Sequence, residues 1–252
     1  MDLEICVDSV ESAIAAAKGG AERIELCSAL SEGGITPSAG LISAVRAAVR
    51  LDVFVIIRPR GGDFVYSVFE LEVMRKDIIE VKARGADGVV LGVLTAECAI
   101  DRARTQSLVQ LARPMQVTFH RAFDECADMD RALEDVIDCG IDRLLTSGGK
   151  ADAIQGAEQL ARLQQRAAGR IGIMAGGGIR AANVRNLVAH TDVNAVHTSL
   201  SPGAAQGTNH GVGLEDCECG SAPFVVTEKD VRAFKAELEA IALETKPRAH
   251  VQ

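Results

Sequence analysis

The feature that most constrains this chain is a repeated alternation of short apolar runs with longer amphipathic ones. Eight runs read as strands: "LEICV", "RIELC", "VFVIIRP", "GVVLGVL", "QVTFHRAF", "RLLTSGG", "RIGIMAGGGI" and "NAVHTSL". Each is followed by a segment with helical patterning, from "VESAIAAAKGG" after the first to "TEKDVRAFKAELEAIAL" after the last. Gly19-Gly20 marks a helix C-terminus, and Pro37 fits the first turn of the second helix. Strands that alternate with helices build a parallel sheet. Eight such units in 252 residues predict an α/β fold of the (β/α)8 TIM barrel type, one domain spanning 1–252. A doubly wound open sheet is the alternative, but "CVDSVESA" lacks the glycine-rich turn expected after its first strand. The Gly-, Ala- and Ser-rich segment 201–226 reads as a long loop before the last helix.

Composition narrows the function classes. A hydrophobic content of 48% with no Trp suits an aliphatic core between strands and helices. A net charge of −8 argues against nucleic-acid binding, which needs a basic face. No apolar run approaches the roughly 20 residues of a membrane span, and the acidic start, Met1-Asp2-Leu3-Glu4, is unlike a signal peptide. The expectation is a cytoplasmic protein with no membrane partner, whose seven cysteines are mostly free thiols.

In a TIM barrel the chemistry sits at the C-terminal ends of the strands. Those ends carry Arg58, Arg60 and Asp63 after strand three, His120, Arg121 and Asp124 after strand five, and Ser147, Gly148 and Gly149 after strand six. Gly177 and Gly178 follow strand seven, and His197 and Ser199 lie on strand eight. Three arginines at one mouth suit a carboxylate or phosphate, and the glycine turns can offer backbone N–H groups to it. The structural reading pairs Arg58 or Arg60 with Asp63, Glu70 or Glu25 instead.

Strands one and two share the pattern Glu-x-Cys, with Glu4 and Cys6 on one and Glu25 and Cys27 on the other. Residues two apart point to the same face of a strand. The two thiols can therefore meet inside the barrel, where soft thiolates would select Cu(I) or Zn. Barrel shear works against this by staggering neighbouring strands, and a buried Cys is otherwise a small hydrophobe. Sulfurs further apart than about 4.6 Å, twice a metal–sulfur bond, cannot share one ion. A buried Glu needs a partner, so Glu4 and Glu25 either join an arginine lattice or stand beside His120 as a general base. Cys217 and Cys219, in "CEC", do not complete a zinc site by themselves.

The segments "EICVDSVESAIAAAKGGAERIELCSALSEGGITPSAGL", "VIIRPRGGDFVYSVFELEVMRKDI", "VTFHRAFD", "RLLTSGG" and "IMAGGGI…NV" resemble the CutC copper-homeostasis family, collinearly from residue 2 to about 200. The resemblance implies a (β/α)8 barrel, a cytoplasmic location, a role in copper tolerance or copper binding, and homodimers or homotetramers. It also implies Cys6 and Cys27 as ligands of Cu(I). Two functions follow. One is a copper-ion-binding protein. The other is an enzyme (a lyase, isomerase or hydrolase) on a small anionic or phosphorylated metabolite. There Arg58, Arg60, Arg121 and the turns at Ser147–Gly149 and Gly177–Gly178 would hold the anion, and Glu4, Glu25 or His120 would move a proton.

Overall fold

A computed structural model describes residues 1–200 and 225–245. Eight parallel strands close into a barrel in sequence order: β1 (Asp2–Val7), β2 (Arg23–Leu26), β3 (Asp52–Ile56), β4 (Gly88–Leu91), β5 (Gln116–Phe119), β6 (Arg143–Thr146), β7 (Gly172–Gly176) and β8 (Ala195–Thr198). The helices between and after them are α1 (Val10–Gly19), α2 (Ala39–Ala48), α3 (Val68–Ala83), α4 (Arg102–Ala112), α5 (Met129–Asp138), α6 (Ala157–Ala167), α7 (Ala181–Thr191) and α8 (Glu228–Thr245). All but the last two residues of the loop expected at 201–226, and with them the Cys217–Cys219 pair, lie outside the described residues.

Local chemistry explains the boundaries. Ser9, Ser38, Asp101 and Asp128 accept backbone N–H groups at the starts of α1, α2, α4 and α5. Ser67 and Glu70 form a capping box on α3. Gly20 ends α1 with φ 93°, a left-handed conformation that favours glycine. Pro37 stands one residue before the Ser38 cap rather than inside the first turn.

The strands alternate in and out. Leu3, Ile5, Val7, Ile24, Leu26, Val53 and Val55 face the helices and join the main apolar core. The opposite set, Glu4, Cys6, Arg23, Glu25, Phe54 and Ile56, is also buried and fills the barrel. The guanidinium groups of Arg23 and Arg143 both lie against the Phe54 ring, 5.0 and 5.3 Å from its centroid. Gly88 leaves room for that ring: a Cβ there would sit 2.3 Å from it. Closure pairs β1 with β2 and with β8, so Glu4 has Arg23 on one side and His197 on the other. That double neighbour relation sets up the site.

Candidate metal centre

Register places Cys6 opposite Glu25, with Cys27 two residues further on, just past the end of β2. The stagger does not separate the thiols. Cys6 Sγ and Cys27 Sγ are 3.7 Å apart, and both residues are buried. Phe54, Ile56, Val90 and Leu30 complete an apolar cage around them. Cys27 Sγ also lies 3.6 Å from the Val7 carbonyl oxygen, and Cys6 Sγ lies 3.9 Å from Glu25 Oε1. The hydrogen bond with Cys27, together with burial and the neighbouring carboxylates, pushes the Cys6 thiol well above its ordinary range.

The two glutamates have opposite surroundings. Glu4 is wholly buried, accepts from Arg23 Nε, and is hydrogen-bonded to His197 Nδ1 at 2.7 Å. Burial alone would raise its pKa, but the contacts with His197 and Arg23 outweigh it and hold the carboxyl at about 2. His197 is raised in turn: burial opposes its charge, but Glu4 and Glu25 favour it more. Glu25 has no arginine contact within bonding distance among the described residues, and its Oε2 has no hydrogen-bond partner. Burial pushes it up to about 7, with Glu4 adding to the effect and His197 opposing it.

A loop covers the thiols. Ser28 and Ile35 pair as an antiparallel bridge, and the segment between them folds back over β2. Gly34 packs so closely that a Cβ would lie 3.2 Å from Cys27 Cβ. Arg58 pins this loop: Nη1 donates to Glu32 O at 2.7 Å and Gly34 O at 3.0 Å, and Nη2 to Gly62 O at 2.9 Å. The Arg58 fork therefore makes three of its donor contacts to backbone carbonyls. Arg60 is likewise bonded to Glu70 and Asp63.

The strand-six turn is already occupied by a carboxylate of the protein. Asp124 accepts from Ser147 N, Ser147 Oγ, Thr146 Oγ1 and Gly149 N, while Gly148 N donates to Thr146 Oγ1. Arg121 bonds Asp124 and Ser147 Oγ and lies over Gly177, where a Cβ would be 3.4 Å from Nη1. Gly178 packs against Asp152. His120 stands apart from both glutamates. Its Nδ1 accepts from Ala122 N, its ring lies 4.9 Å from that of Phe64, and burial lowers its pKa to about 3. A cavity of about 500 Å³ opens away from the thiols, beside Asp124, Asp128, Met129, Gly149, Lys150 and Arg162.

The structure thus brings together Glu4, Cys6, Glu25 and Cys27, and adds Arg23, which the sequence reading passed over, and His197, which it placed on strand eight without a role. The signal for both was parity: each lies two residues from an inward-facing position on its strand or pairs with one across the closing seam.

Fold and site define a class: a (β/α)8 barrel whose interior ends in two buried thiols beside a carboxylate–imidazole pair. Within that class the profile of the CutC family matches residues 1–202, and the chain belongs to the CutC family. The copper homeostasis protein cutC homolog of Homo sapiens is 50% identical over 197 residues, 78% of this chain and 72% of the human one. A CutC family protein of Chromobacterium violaceum is 47% identical over 215 residues, 84% of this chain and 87% of its own. The crystal structure of CutC from Streptococcus agalactiae superposes with a TM-score of 0.75 at 32% identity, covering 79% of this chain and 98% of that one.

Proposed function

We propose that the protein binds copper as Cu(I) through Cys6 and Cys27. The 3.7 Å between the sulfurs carries this reading, because it lies inside the limit of about 4.6 Å for sharing one ion. Two sulfurs at that spacing subtend about 110° at an ion 2.3 Å from each, a bent arrangement rather than a linear one. Soft thiolates in an apolar cage suit a soft monovalent ion. Each ligand must lose its proton on binding, so affinity rises with pH. The copper-homeostasis name of the human relative supports the same reading.

The reading includes the cytoplasm as location, where reducing conditions keep thiols free. Among the described residues no helix is long and apolar enough to cross a membrane. It also includes self-association as homodimers or homotetramers, supported by the apolar residues that α3 exposes, Val68, Phe69, Val73 and Ile79. The enzyme reading has less support, since Arg58, Arg60 and the Ser147–Gly149 turn are already bonded within the protein.

The test is an anaerobic titration of reduced protein with Cu(I) against a chromophoric Cu(I) chelator. One ion per chain is expected, lost in the Cys6→Ala, Cys27→Ala double variant. Unchanged Cu(I) affinity in that variant would sink the reading.

A further inference from the structure

Cys6 belongs to two groupings at once. With Cys27 it forms the thiol pair. With Glu25 and His197 it forms a second set, in which one ligand atom from each residue lies within 4.8 Å of the others. Cys27 lies outside that set, so the two groupings are offset from each other and meet at the Cys6 sulfur.

The surroundings of Glu25 and the types of donor point to a ligand in the second set. Glu25 Oε2 is buried without a partner, in a residue 5% exposed. Leaving such an oxygen unpaired costs on the order of 1–3 kcal/mol. It lies 4.0 Å from His197 Nδ1, too far for a hydrogen bond and close to the sum of two metal–ligand bond lengths. Glu4 bonds that same Nδ1 at 2.7 Å and also accepts from Arg23, so an ion at Nδ1 replaces the imidazole contact and leaves the carboxylate paired. The donor types matter as well. One thiolate, one carboxylate and one imidazole are the ligands of borderline divalent ions, whereas the thiol pair is soft throughout.

We propose that Cys6, Glu25 and His197 form a second ion position, for a divalent cation of borderline softness such as Zn²⁺. Because both positions need Cys6, occupation of one excludes the other; this exclusion, unlike the site itself, rests on the copper reading of the thiol pair. Ligand atoms around such an ion stand about 3.3–3.7 Å apart, so the set closes by up to about 1 Å on binding. The ion takes the place of the hydrogen between His197 Nδ1 and Glu4, and that proton and the one on the Cys6 thiol are released to solvent. Glu4 keeps Arg23 as its remaining partner.

The experiment titrates metal-free, reduced protein with Co²⁺, a spectroscopic probe of the same ligand preferences, and with Zn²⁺ by calorimetry. The variants are Glu25→Gln, His197→Gln and Cys27→Ser, each checked for folding by thermal melting. Wild type and Cys27→Ser are expected to bind one Co²⁺ with a thiolate-to-cobalt charge-transfer band. Glu25→Gln and His197→Gln should each lose at least roughly tenfold in Co²⁺ and Zn²⁺ affinity. Glu25→Gln should leave Cu(I) binding intact, and bound Cu(I) should suppress Co²⁺ uptake. The proposal is overturned if wild type binds no Co²⁺, or if Cys27→Ser abolishes binding while folded Glu25→Gln retains it. Loss of Cu(I) binding in Cys27→Ser with Co²⁺ binding retained supports two positions. Cu(I) binding that survives loss of both cysteines, with the Co²⁺ results as expected, would remove only the copper reading.

Discussion

Glu4 and Glu25 share a residue type and a local motif, yet their environments drive them apart. Glu4 meets a guanidinium and an imidazole, whereas Glu25 meets a thiol with one oxygen and has no hydrogen-bond partner for the other. The sign of the pH effect follows. The Glu25 pKa rises from 4.5 unfolded to about 7 folded, so the folded state holds the extra proton. Its contribution is full below pH 4.5 and is lost as pH climbs through 7, by about 3 kcal/mol in total. Urea unfolding at pH 5 and pH 8 should show that loss in wild type and a much smaller one in Glu25→Gln; equal pH dependence in the two would tell against it. Glu4 runs the other way, stabilising above pH 4.5 and losing that as pH falls towards 2. The sequence made the two carboxylates and two thiols visible, because strand parity is a local property. It did not reveal that His197 serves Glu4, since 193 residues separate them and only barrel closure joins them. Nor did it reveal that Asp124 occupies the amide groups after strand six, which a glycine-rich turn leaves open to any anion, internal or external.

At the scale of elements, the loop from Ser28 to Ile35 matters most. Its own contacts are a two-residue bridge and the packing of Leu30 and Gly34 over the cage. Arg58 adds two hydrogen bonds to the loop carbonyls of Glu32 and Gly34 and ties them to Gly62 through a third. From sequence, an arginine at a strand end reads as a ligand group; that it turns back onto a neighbouring loop depends on where the carbonyls of residues 32, 34 and 62 fall. Arg58→Ala should release the loop. Thiol-trapping reagents should then modify Cys27 at least about tenfold faster, a local opening easier by about 1.4 kcal/mol or more. Arg58→Lys should restore little, because one ammonium cannot span three acceptors held by a planar fork. An unchanged trapping rate in Arg58→Ala would show that packing alone keeps the loop shut.

For the whole molecule, the eightfold alternation made the architecture legible, and each strand and helix falls within a few residues of its expected place. What the pattern lacks is the closing seam, which turns a row of strands into a ring and the first strand into the neighbour of the last. The outer surface carries a second feature with molecular reach. Val68 and Phe69 on α3 are 67% and 81% exposed, an unusual setting for apolar side chains. Light scattering should report a smaller species for Phe69→Glu than for wild type if this face joins two chains; an unchanged mass would rule the face out. The loop over the thiols also bears on time. Cys27 has no solvent exposure, and the covering segment must lift before anything reaches its sulfur or leaves it. Residence is then governed by how often that segment opens rather than by bond strength alone. An ion held on this thiol pair would leave slowly even for a stronger acceptor, as from a reservoir rather than a shuttle.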